Sequence, residues 1–226
     1  MFRNYFKIAW RNLKKNKVFS FINIFGLSVG LTCCILISLY VYHELSYDKH
    51  HAHGERLFRL GTIFIDQGVE DKGRTTSAPA GSMMQAEFPE IEATTRGLEL
   101  FRDDKTLFRL DKGNGSLRSY YDKNGWLADS NFFQVIPYAF KEGNPRTGLQ
   151  APNSVVISED MAQKLFGNEP ALDKMVQISS STNGDSSFRI TGVFERPVAP
   201  THIDANFFLT IPGGNMDQFA NDSPSL

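Results

Sequence analysis

Residues 18–42, VFSFINIFGLSVGLTCCILISLYVY, run without a single charged side chain. A helix rises about 1.5 Å per residue, so this run reaches about 37 Å, more than the roughly 30 Å of a bilayer's hydrocarbon core. A core helix of a soluble domain is usually shorter and polar on one face, so the segment reads as a membrane span. A cleaved signal would have a shorter apolar core and small residues at its end, whereas His43, Glu44, Leu45, Ser46 and Tyr47 are mostly bulky or polar. Lipid attachment at Cys33 or Cys34 is disfavoured, because Thr32 and Cys33 are poor substitutes for a small preceding residue. The span is expected to stay uncut.

Charge sets its direction. Arg3, Lys7, Arg11, Lys14, Lys15 and Lys17 precede the span with no acid among them, while the far side opens on Glu44 and Asp48 beside Lys49. Cytoplasmic flanks carry the excess of Lys and Arg, so the N-terminus is expected in the cytoplasm and residues after about 43 outside it. Tyr40, Tyr42 and Tyr47 at one end and Phe19 and Phe21 at the other suit the two interfaces. Within the span, Gly26 and Gly30 form a G-x-x-x-G, with Cys33 one turn further and Ser28 and Thr32 nearby. Small residues let two helix backbones approach, which makes Gly26, Gly30 and Cys33 a candidate packing face, although glycine is common in such helices without any partner.

Before the span, Phe2, Phe6, Ala9, Trp10 and Leu13 recur at helical spacing on one side, with Arg3, Lys7, Arg11 and Lys14 on another. A basic amphipathic helix of this kind lies among lipid headgroups, each cation contributing about 1 kcal/mol near an anionic surface. It serves as a topology-setting flank or as a contact surface for a cytoplasmic partner. Over the whole chain 24 Lys and Arg face 25 Asp and Glu, a formal net charge of -1 that implies no nucleic-acid partner. The two cysteines are sequence neighbours inside the span, so the exported part is expected to fold without disulfides.

Beyond the membrane, helical and strand signals alternate irregularly, which points to an α+β class: an N-terminal amphipathic helix and one transmembrane helix, then a mixed α/β domain. Strands are expected at 59–65, 91–100, 106–110, 118–128, 175–178 and 188–194, and a short helix at 79–88. Turns are expected at 112–115 and 182–185. Residues 153–167 read as a buried strand entering a helix, with Ser158 as cap, Glu159 and Asp160 at the positive helix end, Met161, Ala162, Leu165 and Phe166 facing the core, and Gly167 as the stop.

No catalytic constellation emerges. His50, His51 and His53 form an H-H-x-H tract that lacks a convincing carboxylate partner and reads as a solvated linker rather than a metal site. Ser154 and Ser158 lack a glycine-rich nucleophile elbow, and Asp103 with Asp104 and Glu87 with Glu90 read as surface pairs. No G-x-x-x-x-G-K-[ST] is present, so no P-loop nucleotide chemistry is expected, and no catalytic, cofactor-binding or metal-binding residue is assigned.

Several stretches, in order, resemble the N-terminal part of MacB-type, FtsX-like ABC transporter permeases, especially the large paralogues of the Bacteroidetes type. They are residues 4–13 (NYFKIAWRNL), 16–27 (NKVFSFINIFGL), 44–48 (ELSYD), 87–90 (EFPE), 129–133 (DSNFF), 153–167 and 190–194 (ITGVF). The resemblance implies residues 1–17 as a cytoplasmic basic helix, 18–42 as the first transmembrane helix and 43–226 as a MacB-like periplasmic core domain in the bacterial inner membrane. It further implies a non-catalytic permease subunit that works as a dimer with a second permease copy and an ABC ATPase subunit, with membrane lipid and a periplasmic adaptor as further partners. On that model the basic helix sits near the ATPase, and ATP-driven movement passes through the span to the periplasmic domain for export of peptides, antibiotics or lipoproteins. Such permeases carry further transmembrane helices after this domain, so the chain is expected to be the N-terminal portion of a longer product. The competing function is a single-span anchored periplasmic binding, sensing or adhesion module with no transport role.

Overall fold

The computed structural model describes residues 2–49, 51, 54–100, 105–111, 117–180 and 184–211. They divide into two compact units, residues 1–47 and 48–226.

The first unit is helical. Helix α1 covers Phe2–Lys15 and helix α2 covers Lys17–Glu44. Asn16 between them departs from helical geometry at φ -111° and ψ 59°, yet its N–H donates to the Asn12 carbonyl at 3.1 Å and its own carbonyl accepts from the Ser20 N–H at 2.9 Å. The break is therefore a local kink rather than a loop. The 28 residues of α2 enclose the whole charge-free run, and none of its side chains is buried within the chain.

The second unit is built on a nine-stranded mixed sheet. Its path runs β3 (Gly97–Glu99), β6 (Gly125–Ala128), β11 (Phe207–Thr210), β8 (Ser154–Ser158), β10 (Gly184–Phe194), β9 (Met175–Ser180), β4 (Thr106–Asp111) and β5 (Leu117–Asp122), with β7 (Phe140–Gly143) pairing to the end of β10. Pairs β8–β10 and β6–β11 are parallel and the others antiparallel. Those senses make β5, at one end of the path, and β6, next to the other end, point the same way, although only Lys123 and Asn124 separate them. The chain must bend there rather than reverse, so the ends of the sheet meet and the sheet curls on itself. Asn124 takes the bend at φ 57°, and Gly125 follows because a Cβ at that point would run into the Phe207 ring and come within 2.8 Å of Leu100.

Both faces of the central strands are buried. Val155 and Ile157 of β8, Phe188 and Ile190 of β10, Ile178 of β9, Phe108 of β4 and Phe207 and Leu209 of β11 enclose one core, closed by Met161 and Leu165 of helix α5 (Glu159–Phe166). Across the curl, Phe108 meets Phe207 edge to face at 4.9 Å. The opposite face holds a second, mainly aromatic core. Phe132 and Phe133 of helix α4 (Phe132–Val135), Tyr138, Phe194 and Phe208 gather there with Val156 and Leu149. Phe208 touches four rings, with centroids at 5.0 Å from Phe132, 5.1 Å from Phe133, 5.4 Å from Phe194 and 5.5 Å from Tyr138.

The α+β class expected from the sequence stands, with differences in detail. The strand at 59–65 begins only at Thr62 and forms a separate hairpin, β1 (Thr62–Asp66) with β2 (Val69–Gly73), turned by Gln67 and Gly68 at φ 48° and 83°. The helix expected at 79–88 is α3 (Ala80–Glu87). Of residues 91–100 only β3 is a strand, because Glu92 and Thr94 are engaged by Gln85 of α3, whose amide donates to the Glu92 carbonyl while its carbonyl accepts from Thr94. Residues 118–128 are two strands, not one. Ser158 caps α5 by accepting from the Met161 N–H at 3.3 Å, and Gly167 ends it at φ 67°, as the residues foretell. The turn at 112–115 lies outside the described residues, as do Thr182 and Asn183.

Truncating Phe208→Ala removes the ring that joins four others, and a loss of about 3–5 kcal/mol in unfolding free energy is expected. Denaturant unfolding followed by near-UV circular dichroism checks this; a loss under about 1 kcal/mol would contradict the role given to Phe208.

Candidate functional site

The residues singled out in the first unit lie on helices that present them as stripes. Arg3, Lys7, Arg11 and Lys14 recur every three or four residues along α1 and share one exposed face. Beside them Phe6 and Trp10 stack with centroids 6.5 Å apart, and the Lys14 ammonium lies 6.0 Å from the Trp10 ring. The apolar side thus ends in aromatic rings flanked by cations, the arrangement that suits a headgroup boundary. On α2, Gly26, Gly30 and Cys33 follow at i, i+4 and i+7, and a Cβ added at either glycine would meet nothing within 4 Å. Thr32 satisfies its own hydroxyl by donating to the Ser28 carbonyl at 2.8 Å, so the stripe exposes small groups without an unpaired donor there.

The second unit begins at Asp48, four residues after the end of α2, and this residue is clasped to a distant loop. Its N–H donates to the Pro200 carbonyl at 3.0 Å. Its carboxylate accepts from the His202 N–H at 3.2 Å, lies 2.6 Å from His202 Nδ1 and bonds the Thr201 side chain. On the other side, His51 donates its N–H to the Asp48 carbonyl at 3.3 Å and places Nε2 4.0 Å from Asp48 Oδ1. The backbone of Asp48 is left-handed, at φ 55°. Burial raises the carboxyl pKa, but the bonds from His202 and Thr201 outweigh it and hold Asp48 below its ordinary 3.8.

The clasped loop is itself fixed to the aromatic core. Tyr138 donates its hydroxyl to the Ile203 carbonyl at 3.2 Å, Ile203 packs against that core and Ala205 is buried in it. Burial, together with the charges of Asp48 and Asp204, pushes the Tyr138 phenol far above its usual range, so it stays a donor at physiological pH. A continuous path of bonds and contacts therefore runs from Asp48 through residues 200–205 to Phe208. In the sequence Asp48 stands out only as an acid after the span and as part of the 44–48 stretch, and its partner 154 residues away carries no local signal.

The remaining candidates are dispersed. His51 belongs to the clasp, while His50 and His53 lie outside the described residues, as do Asp103 and Asp104. Among the described residues no group of three or more His, Cys, Asp or Glu side chains is arranged to hold a metal. Glu87 and Glu90 are exposed, Ser158 serves as a helix cap, and Ser154 is buried in β8.

Replacing Asp48 by Ala should remove the carboxylate bonds while leaving the core in place. The expected result is faster hydrogen exchange at the His202 amide, with a stability loss of about 1 kcal/mol because the carboxylate is partly solvent-screened. A carboxyl held below its unfolded value stabilises above that value and ceases to do so as pH falls through the folded value. The protection factor of the His202 amide, which discounts the intrinsic pH dependence of exchange, should therefore be high at neutral pH and fall only as pH drops below the ordinary carboxylate value. Equal exchange in the parent and in Asp48→Ala at pH 7 would remove the clasp.

The search of curated proteins returns no match. Among solved structures, a domain assigned to a permease protein from Porphyromonas gingivalis is 24% identical, with a TM-score of 0.47, covering 60% of this chain and 57% of its own. The periplasmic region of MacB from Actinobacillus actinomycetemcomitans is 17% identical, with a TM-score of 0.42 and coverage of 60% and 54%. The extracellular domain of the noncanonic ABC-type transporter YknZ from Gram-positive bacteria is 15% identical, with a TM-score of 0.35 and coverage of 53% and 55%. The chain thus spans a little over half the length of each. The MacB-like periplasmic core domain family matches residues 20–225, nearly the whole chain, and the protein belongs to that family of ABC transporter permease domains.

Proposed function

We propose that the chain is the N-terminal portion of a non-catalytic permease subunit, one that carries movement from a cytoplasmic ATPase to an exported domain. The observation that carries this reading is the family match over residues 20–225, which takes in most of α2 together with the domain that follows. In this reading residues 1–17 lie at the cytoplasmic face of the inner membrane, 18–42 cross it and 43–226 are periplasmic. The positive flank before α2 and the acids after it support that direction.

Each element then has a mechanical task. The cationic face of Arg3, Lys7, Arg11 and Lys14 meets anionic lipid and the ATPase, and the stripe of Gly26, Gly30 and Cys33 packs against another transmembrane helix of the permease or its second copy. Only Leu45, Ser46 and Tyr47 separate α2 from the Asp48 clasp in sequence, and the Leu45 and Ser46 N–H groups bond back to the Val41 and His43 carbonyls, so in this reading a short tether carries displacement of the helix end to residues 200–205. The expected outputs are rearrangements of the periplasmic domain that release peptide, antibiotic or lipoprotein cargo to an adaptor.

Tagged chain extracted from its native membrane in mild detergent is expected to bring down an ABC ATPase, and Gly26→Leu with Gly30→Leu to weaken its association with other permease helices. An alkaline phosphatase fusion after position 53 should be active. Failure to recover any ATPase, or an inactive fusion, would overturn the reading.

A further inference from the structure

Strand β10 outruns its partner on one side. β9 lies beside it from Gly184 to Arg189, whereas β8, on the opposite side, begins only at the level of Arg189 and follows it to Phe194. Residues 185–188 therefore have a neighbouring strand on one side only. The chain entering β8 does not cover the other side. Asn153 is left-handed at φ 53° and turns that chain off the line of the strand, and Pro152 before it has no N–H to offer a ladder.

Backbone groups alternate in direction along a strand, so the bonds of neighbouring residues tell which groups face the open side. Arg189 donates its N–H to the Asn153 carbonyl at 2.9 Å, toward β8. Ile190 faces the other way: its N–H donates to the Lys174 carbonyl at 2.9 Å and its own carbonyl accepts from the Asp173 N–H at 2.8 Å. Ser187 and Asp185 share the direction of Arg189 and turn their N–H and C=O to the open side. Among the described residues neither makes a backbone bond there, and both residues are exposed. An unpaired edge of this kind is a template for another strand.

The edge borders a groove of about 590 Å³ on the sheet face away from Phe188 and Ile190 of the first core. Ser187 and Arg189 line it from β10, and Asp173 lines it from the β9 side. The charges along this face are not equivalent. Asp185 is already engaged, by Arg109 at 3.3 Å and by the Ser179 hydroxyl at 2.8 Å. Arg189 is exposed, stands about 7 Å along the strand from Ser187, and takes part in no ion pair among the described residues. A strand laid on the open side meets this free cation before it reaches Asp173. An acidic side chain on the groove face is the charge that complements it.

We propose that the open edge of β10 takes an extended peptide segment as an added strand, its backbone paired with Ser187 and Asp185 and an acidic side chain on Arg189. The pairing uses backbone groups that already face the open side. It rests on this edge and not on the transmission reading, and its test reads no ATPase.

The experiment uses the full ¹⁵N-labelled chain in detergent micelles, titrated with acetyl-Thr-Val-Glu-Val-Thr-amide and with the same peptide carrying Lys in place of Glu. In the free chain the Ser187 amide is expected to exchange with solvent near its intrinsic rate, and saturating Glu peptide is expected to slow it about tenfold or more. The Lys peptide should bind about tenfold more weakly, and Arg189→Glu should reverse that order. Ser187→Pro removes the N–H on the open side and breaks no bond to β9, so the variant should keep its thermal midpoint and lose the peptide. N-methylation of alternate peptide amides, in two complementary sets, should abolish binding for one set only, because alternate amides of a strand face its partner. A Ser187 amide already protected in the free chain would overturn the proposal, as would equal affinity for the two peptides, equal effects of the two methylated sets, or unchanged affinity in a folded Ser187→Pro.

Discussion

The burial of β8 on both faces is the constraint around which the exported domain is arranged. All five residues of Ser154–Ser158 are buried, so no arrangement that leaves one face of this strand in water is available. Val155 and Ile157 turn to one core and Val156 to the other. The two cores cannot form separately, because β10 and β11 on either side of β8 divide their side chains in the same way. Helix α5 follows β8 without a break and closes the first core; the aromatic cluster around Phe208 closes the second. Curling of the sheet follows from the same demand, since it wraps β4 over β11 and shuts the first core where Phe108 meets Phe207.

Polar contacts determine where the outlying segments attach to that nucleus. Arg96 grips Asp129 in a fork, Nη2 donating to Oδ1 at 2.8 Å and Nε to Oδ2 at 3.0 Å, the Arg96 N–H also donates to Oδ2 at 2.8 Å, and the Asp129 N–H donates to the Arg96 carbonyl. This bidentate pair raises the guanidinium pKa further and anchors the segment before β3 beside α4. The Asp48 clasp does the equivalent for the first residues of this unit. In both cases a carboxylate collects backbone and side-chain donors at once, which fixes direction as well as distance.

What the sequence made legible was local. The charge-free run, the helical spacing of cations on α1, the Ser158 cap and the Gly167 stop are decided by neighbours within a few residues, and the structure has them where the residues place them. The strand at 118–128 looked continuous because its interruption depends on Phe207 and Leu100, far away in sequence, leaving no room beside Gly125. Strand β11 went unnoticed for a related reason: Phe207–Thr210 is buried on both sides and shows no alternation to read. The same limit applies to sites. The cationic and glycine stripes are periodic and so visible, whereas the clasp joins Asp48 to His202 across 154 residues.

The left-handed backbone of Asp48 narrows what that position can be. Glycine would accept φ 55° with ease but has no carboxylate to hold His202 and Thr201. Asparagine also tolerates the conformation, yet it brings a neutral amide to a place where two imidazoles approach from either side. Glutamate keeps the charge but adds a methylene and has no particular tolerance for the left-handed region. Backbone shape and charge together leave aspartate as the residue that meets both demands, so the identity of this one side chain is set twice over, by the turn it occupies and by the loop it holds.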